Sequence, residues 1–166
     1  MDRVLIIGCP GSGKTTLSRQ LAKQTGLPLI HLDQLFWEDN WTQVPREVFD
    51  ARLLAELQKP RWIIDGNYGR TLPLRLQFCD TVLFLDYSRL QCLWGVVTRV
   101  IKNYGKPRPD MGGNCPEHFD WEFLKSVWLF PRLHRQKYRT RLAEATDVTV
   151  HIFQSRRQAS HWLKRI

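Results

Sequence analysis

The 166 residues of this chain, 43% of them hydrophobic, are enough to form the core of a single domain. No apolar run approaches the length of a membrane span, and the first strand begins almost at once, so neither a membrane segment nor a leader peptide is predicted. The four cysteines form neither a CxxC pair nor a disulfide scaffold, which favours free thiols in a cytoplasmic protein. The formal net charge is +9, and residues 84–166 carry 15 Lys and Arg against 7 Asp and Glu. Such a basic half either binds nucleic acid or closes over the phosphates of a nucleotide.

The chain is predicted to start with a strand over residues 3–7, a glycine-rich turn and a helix over about 14–25. The turn reads Gly-Cys-Pro-Gly-Ser-Gly-Lys-Thr, the G-x-x-x-x-G-K-[ST] pattern of a phosphate-binding loop. Its glycines let backbone N–H groups face phosphate oxygens at the positive end of the helix dipole. Lys14 is predicted to reach the β- and γ-phosphates, and the Thr15 hydroxyl to bind Mg²⁺. Cys9 is interpreted as a small residue that fills the loop. The predicted nucleotide-binding residues here are Gly8, Pro10, Gly11, Ser12, Gly13, Lys14, Thr15 and Thr16.

A second buried strand is predicted to end at Asp33, at the edge where open α/β sheets carry their sites. A carboxylate there either orients the waters of Mg²⁺ or takes a proton from an acceptor hydroxyl; a turn or cap aspartate is the alternative. Residues 34–44 form an aromatic-rich loop, and a helix follows over about 45–58. Residues 34–59 are therefore predicted as a flap over the acceptor. Three aromatic residues of this loop either line a pocket or fill a small core: Phe36, Trp37 and Trp41.

The third strand, over residues 62–65, ends in Asp65 followed by glycine. An apolar run closed by aspartate downstream of a phosphate loop is typical of a carboxylate that holds Mg²⁺ through water. The next loop places Arg70 where the anionic group of an acceptor would bind, and Arg75 is a second candidate for that role. Exposed arginines without a function are the alternative.

The fourth strand covers residues 80–86, and a helix over 89–104 follows Ser88, its predicted N-cap. Residues 105–116 contain three prolines and three glycines and are predicted as an irregular lid, with Lys106 and Arg108 bringing positive charge over a triphosphate. The helix leaves Arg99 off its apolar face. That face is predicted to bury Leu90, Leu93, Trp94, Val97 and Ile101.

Residues 117–142 are predicted as a helix that breaks at Pro131, with an apolar face made of Trp121, Leu124, Val127 and Trp128. Three arginines follow the break on one face, and they either contact phosphates or form a solvated stripe: Arg132, Arg135 and Arg139. A fifth strand over 148–153 and a last helix begun by Ser155 complete five alternations of strand and helix. This alternation predicts an α/β fold with a parallel sheet covered by helices on both faces.

Over nearly its whole length the chain resembles the adenylate-kinase-like branch of the P-loop kinases. The resemblance depends on the N-terminal phosphate loop, the aspartate after the second strand, the Asp-Gly-x-x-x-Arg segment from Asp65 to Arg70, and the lid with its trailing arginines. A finer resemblance is to bacterial DNA topology modulation proteins. It is carried by His31-Leu-Asp33, Trp-Ile-Ile-Asp-Gly-Asn-Tyr from Trp62, Arg108-Pro-Asp-Met111 and the Cys115-Pro pair.

The kinase resemblance implies a five-stranded sheet ordered 2-3-1-4-5, ATP on the loop, Mg²⁺, and arginines that stabilise phosphoryl transfer. By position it implies catalytic roles for Lys14, Asp33, Arg70 and Arg99, the last as a lid-base arginine. It also implies nucleotide contacts for Arg108, Arg135 and Arg139. Adenylate kinases continue with Phe-Pro-Arg after the Asp-Gly pair, whereas this chain has Asn-Tyr-Gly-Arg from Asn67. AMP is therefore not indicated as the acceptor.

The predicted function is an ATP- and Mg²⁺-dependent kinase that acts on a nucleotide or another small acceptor. A nucleic-acid-associated ATP-binding regulator is the alternative that the topology-modulation resemblance suggests. The sequence contains no helix-turn-helix or zinc-finger pattern, so direct DNA binding is not favoured. A nucleotide-binding protein with little turnover is the third interpretation. The sequence identifies neither the acceptor nor the oligomeric state.

Overall fold

The computed structural model describes residues 1–166, and five parallel strands form its central sheet. The strands are β1 (Arg3–Gly8), β2 (Leu29–His31), β3 (Trp62–Asp65), β4 (Thr81–Leu85) and β5 (Thr149–Phe153). Their order across the sheet is β2-β3-β1-β4-β5, which confirms the predicted order 2-3-1-4-5. Two further short strands, Trp37–Glu38 and Thr42–Gln43, form a separate antiparallel hairpin. Because β1 is central, its carboxyl end brings the phosphate loop between the ends of β3 and β4.

Helices cover both faces of the sheet, as the alternation predicts. They are α1 (Lys14–Thr25), α2 (Leu32–Phe36), α3 (Arg46–Leu57), α4 (Leu72–Leu76), α5 (Arg89–Asn103), α6 (Trp121–Phe130), α7 (Gln136–Glu144) and α8 (Arg156–Leu163). No helix is both long enough and apolar enough to cross a membrane. The core lies on the three middle strands, where the residues of β1 from Val4 to Ile7 have no exposed surface.

The helix predicted over residues 117–142 begins later and is interrupted. Asp120 caps α6 by accepting a hydrogen bond from the N–H of Phe123 at 3.0 Å, so the helix starts at Trp121. The residues before it are extended, since Glu117 pairs with Tyr104 and Pro116 pairs with Pro107 in isolated bridges. At the predicted break, Pro131–Arg135 form one π-helical turn before α7, because proline has no N–H for the helical ladder.

The predicted buried face of α5 is wrong. Leu90, Trp94 and Ile101 are 67%, 66% and 73% exposed, whereas Cys92 and Val96 are buried. The helix packs through its small residues: a Cβ added to Gly95 would lie 2.0 Å from the carbonyl oxygen of Gly11. This close approach to the phosphate loop turns the bulky apolar side chains towards solvent. The α6 tryptophans that were predicted to be packed, Trp121 and Trp128, are likewise 68% and 42% exposed.

The irregular segment over residues 105–116 packs against the first part of the flap. The N–H of Asn40 donates to the carbonyl oxygen of Asn114 at 3.1 Å, and the indole N–H of Trp41 donates to Pro116 at 3.2 Å. The amide of Gln34 donates to the carbonyl oxygen of Pro109 at 3.2 Å. These contacts hold the predicted lid down on the side of the molecule where Asp33 lies.

Candidate active site

The phosphate loop is preformed between β1 and α1. Gly11 and Gly13 have φ angles of 79° and 96°, a region that side chains rarely adopt, and a Cβ on Gly11 would lie 2.1 Å from the carbonyl oxygen of Cys92. The hydroxyl of Ser12 is buried without a hydrogen-bond partner. Lys14 Nζ donates to the carbonyl oxygens of Gly8 and Cys9 at 2.8 and 3.2 Å. A loop with an unpaired buried hydroxyl and an adjacent ammonium group fits phosphate oxygens.

Lys14 lies between two of the predicted carboxylates. Burial lowers the pKa of Lys14, and the negative charges of Asp65 and Asp33 oppose that shift. The chain therefore brings the phosphate-loop lysine, Asp33 and Asp65 into one site, although they come from three different segments.

Asp65 is fixed in place behind the loop. Its Oδ2 accepts a hydrogen bond from the hydroxyl of Ser18 at 2.8 Å, and its Oδ1 lies 2.7 Å from Nδ1 of His31. Asp65 is only 4% exposed, so both partners position a carboxylate that has almost no contact with bulk solvent. The sequence analysis missed Ser18, whose signal is its place one helical turn after Lys14 on α1.

Asp33 lies in the first turn of α2, two residues after the end of β2, and accepts a hydrogen bond from the hydroxyl of Tyr68 at 2.7 Å. Burial raises the pKa of Asp33, while the hydroxyl of Tyr68 and the charge of Arg108 lower it. A half-buried carboxylate whose pKa is raised by desolvation is suited to act as a general base. Tyr68 is a further residue that the sequence analysis did not select as functional.

The backbone at Tyr68 is strained, with a φ angle of 32° in the left-handed region. Arg75 holds this conformation. Its guanidinium, with no exposed surface, donates to the carbonyl oxygens of Gly66, Asn67 and Tyr68. Burial lowers the pKa of Arg75 to about 10. Arg75 therefore supports the loop that carries Tyr68 and does not bind an acceptor, contrary to its predicted second role.

The structure does not bring Arg70 to the acceptor side. Its two terminal nitrogens donate to the carboxylate of Asp50 at 3.0 and 2.5 Å, and both side chains are more than 40% exposed. Arg70 is therefore paired with a carboxylate at the surface and makes no hydrogen bond to Asp33.

The arginines of the predicted lid lie beside Asp33. Arg108 donates to both carboxylate oxygens of Asp110, at 2.6 and 3.3 Å. Arg99 pairs with Glu117, with Nε and Oε2 separated by 2.7 Å, and Arg108 approaches the same oxygen at 3.8 Å. Arg108 was predicted to contact nucleotide phosphates, and the structure places it in this ion-pair network, where its charge acts on Asp33. Arg99 occupies the base of the lid, where it was expected.

The arginines after Pro131 divide into two groups. Nε of Arg135 and Nη2 of Arg139 each donate to Asp86 at 2.6 Å, and Asp86 directly follows β4 at the edge that carries the phosphate loop. Arg132 is exposed. Arg135 and Arg139 are therefore the two members of the row that the fold brings towards the nucleotide side.

Cys9 is a packing residue of the loop, as interpreted from the sequence. It is 2% exposed, its thiol donates to the carbonyl oxygen of Val127 at 3.8 Å, and the neighbouring Cys92 together with burial raises the pKa of Cys9. The side chain is thus a neutral thiol.

Aromatic rings form one wall beside Asp33. The ring of Phe36 lies 5.0 Å from that of Tyr68 and 5.0 Å from that of Trp37, and Phe49 packs 5.0 Å from Tyr68. Phe49 is buried, while the other three rings are half-buried. The flap therefore contributes both core filling and a partly accessible aromatic surface, the two alternatives that its sequence left open.

Comparisons with known proteins agree with this geometry. The shikimate kinase family model matches residues 10–56, which include most of the phosphate loop, β2, Asp33 and most of the flap. The crystal structure of shikimate kinase from Bacteroides thetaiotaomicron is similar over 99% of this chain and 95% of that chain, with 16% sequence identity and a TM-score of 0.54. No curated protein sequence matches.

The structural match confirms the predicted fold class, the three-layer α/β fold of a P-loop kinase. Both matches are to phosphotransferases, in agreement with the predicted enzyme class, and neither identifies the acceptor of this chain. Nothing in the comparisons supports a role in DNA topology.

Proposed function

We propose that this chain is a kinase that transfers the γ-phosphoryl group of ATP to a hydroxyl group of a small acceptor. The observation that carries the proposal is the position of Asp33, a half-buried carboxylate held by the hydroxyl of Tyr68 at 2.7 Å in the same site as the lysine of the phosphate loop. A protein that only binds a nucleotide has no use for a base of this kind on the far side of the phosphates.

On the nucleotide side, the loop and Lys14 bind the phosphates. Thr15 and Asp65 would hold Mg²⁺, Thr15 through its hydroxyl and Asp65 through water, and the ion would neutralise charge on the phosphate oxygens. Arg135 and Arg139 lie close enough to this edge to exchange Asp86 for phosphate oxygens.

On the acceptor side, Asp33 orients the hydroxyl and accepts its proton. A bond forms between the acceptor oxygen and the γ-phosphorus, the bond from that phosphorus to the bridging oxygen of ADP breaks, and the proton passes to Asp33. The lid packed on the flap excludes water, which limits the wasteful hydrolysis of ATP.

The test is ADP release from ATP and Mg²⁺ against a panel of nucleoside monophosphates, nucleosides and small hydroxyl compounds. Lys14→Ala and Asp33→Asn are compared with the wild type, and Asp2→Asn at the exposed N-terminus is the control variant. We expect one acceptor class to stimulate ADP release, and both site variants to lose that stimulation while the control keeps it. Stimulation that survives in Asp33→Asn would contradict the role of the base.

A nucleic-acid-associated ATP-binding regulator is the second candidate, and the net charge of +9 is the observation in its favour. Duplex DNA belongs in the same panel for this reason. Turnover stimulated by the duplex alone, with a steep dependence on salt, would replace the kinase proposal by this one.

A further inference from the structure

We propose that the acceptor is an uncharged polyol or sugar, without a phosphate or carboxylate group. This inference deepens the proposed kinase function and depends on it. It rests on five side chains that we call the acceptor cluster: Asp33, Arg99, Arg108, Asp110 and Glu117. They meet where the lid packs against the flap, and the N–H of Gly112 in the lid donates to the carbonyl oxygen of Asp33 at 3.4 Å.

The cations of the acceptor cluster are already neutralised by carboxylates of the chain itself. Arg108 is bound through two nitrogens to Asp110, and Arg99 is paired with Glu117 at 2.7 Å. The side chain of Glu117 is 4% exposed and that of Arg108 is 12% exposed. These are therefore enclosed ion pairs, which are weakened little by water and salt.

The balance of charge in the cluster leaves no positive charge for a ligand. Two arginines face three carboxyl groups, so the cluster has a net charge of −1 with Asp33 ionised and 0 with Asp33 protonated. A phosphate monoester would add close to two negative charges to this enclosed site, and a carboxylate would add one. Each would enter without a free cation to compensate it, which is unfavourable where water is excluded.

The other arginines near the acceptor side do not change this balance. Arg70 is held by Asp50 at the surface, Arg75 is buried on three carbonyl oxygens, and Arg141 donates to the carbonyl oxygen of Gly69 at 2.7 Å. The cations that can meet phosphate are Lys14, which donates only to backbone carbonyl oxygens, and the pair Arg135 and Arg139, which share the single carboxylate of Asp86 and so keep one positive charge in excess. The positive charge of the site thus faces the nucleotide and not the acceptor.

The surface that the acceptor meets suits an uncharged ring with hydroxyl groups. The half-buried rings of Phe36, Trp37 and Tyr68 offer apolar faces on which the C–H groups of a sugar can pack. The carboxylate of Asp33 and the paired carboxylates of Asp110 and Glu117 offer hydrogen-bond acceptors for hydroxyl groups. A polyol satisfies such acceptors without adding charge.

The experiment compares acceptors that share a carbon skeleton and differ in charge: glucose, gluconate and glucose 6-phosphate, and inositol with inositol monophosphate. Shikimate and AMP are included as further anions. The readout is kcat/KM for acceptor-stimulated ADP release. We expect uncharged compounds to stimulate at least about tenfold better than their anionic counterparts, the factor that corresponds to about 1.4 kcal/mol.

Glu117→Gln is the informative variant, because it removes one negative charge from the cluster and leaves the size of the side chain unchanged. We expect it to shift the ratio of kcat/KM towards the anionic acceptors by about tenfold. Asp110→Asn is the second variant in case the first does not fold, and Asp2→Asn, which removes a carboxylate from an exposed ion pair with Arg61, is the matched control.

The outcomes separate this inference from the function on which it depends. Stimulation of the wild type by anionic acceptors alone, or an unchanged charge preference in both cluster variants, would overturn the inference and leave the kinase intact. Absence of stimulation by every acceptor in the panel would overturn the kinase function and the inference together.

Discussion

Replacing Tyr68 by phenylalanine tests how the pKa of Asp33 is set, because the change removes one hydroxyl and keeps the aromatic ring. That hydroxyl donates to Asp33 Oδ1 at 2.7 Å and lowers the pKa of the carboxyl, against burial, which raises it. Without the hydroxyl, the charged form of Asp33 loses a hydrogen bond and its pKa rises further. The basic form then appears only at higher pH, so the acid limb of the pH profile moves to higher pH.

The size of the shift follows from the strength of one charge-assisted hydrogen bond. Such a bond contributes about 1.5–3 kcal/mol, and one pKa unit corresponds to about 1.4 kcal/mol, which gives about one to two units. Arg108 remains in Tyr68→Phe and still favours the ionised form of Asp33, so we expect a shift near the lower limit, about one pH unit.

The assay is the pH dependence of kcat/KM for ADP release with the best acceptor of the panel. Tyr104→Phe is the control, since the side chain of Tyr104 is 67% exposed and the tyrosine hydroxyl that donates to Asp33 is that of Tyr68. An acid limb that stays at the wild-type pH in Tyr68→Phe, whether or not the rate falls, would refute Asp33 as the base that Tyr68 tunes.

Three further predictions concern stability. Asp33→Asn removes a carboxyl whose pKa is raised by burial, so Tm should increase at pH 7. The gain should shrink as the pH falls and vanish below the unfolded pKa of about 3.9, where the wild-type group is protonated in both states; a pH-independent gain would contradict this account. Gly95→Ala should lower the free energy of unfolding, measured with urea, by about 1–3 kcal/mol, because its Cβ would lie 2.0 Å from the carbonyl oxygen of Gly11. It should also weaken the binding of ATP, measured by titration. Arg75→Met should lower the free energy of unfolding by about 3 kcal/mol or more, because it leaves buried carbonyl oxygens unpaired. Arg70→Met should lower it by less than about 1 kcal/mol in the same urea experiment, and equal losses would refute the distinction between the two arginines.

Much of the fold follows from local patterns in the sequence. The strand, loop and helix around Lys14 are contiguous, and the apolar runs that end at Asp33 and Asp65 are short enough to identify as buried strands. The sheet order came with the kinase resemblance, whereas the three prolines and three glycines of residues 105–116 placed the lid between α5 and α6.

The exposed face of α5 could not be predicted from periodicity. Large side chains such as Leu90 and Trp94 dominate an apolar pattern, but the packing of this helix is decided by Gly95, whose missing side chain lets the backbone approach the phosphate loop. How closely α5 approaches the phosphate loop depends on both segments, which are far apart in sequence, so neither segment alone predicts it.

The carboxylates that pair with the arginines could not be predicted from the sequence either. Arg135 and Asp86 are 49 residues apart, and Arg99 and Glu117 are 18 apart, so no local spacing indicates either pair. A row of arginines shows where positive charge is available. Only the folded chain shows that carboxylates already neutralise most of it and that the remainder faces the phosphates.

Helix α5 joins the two halves of the site as one rigid body. Gly95 contacts the phosphate loop, and Arg99, four residues or about 6 Å further along the axis, holds the base of the lid through Glu117. A helix of this length does not stretch, so a shift of the loop on nucleotide binding moves the anchor of the lid with it. The affinities for the two substrates should therefore be linked, each ligand altering the affinity for the other by the same factor.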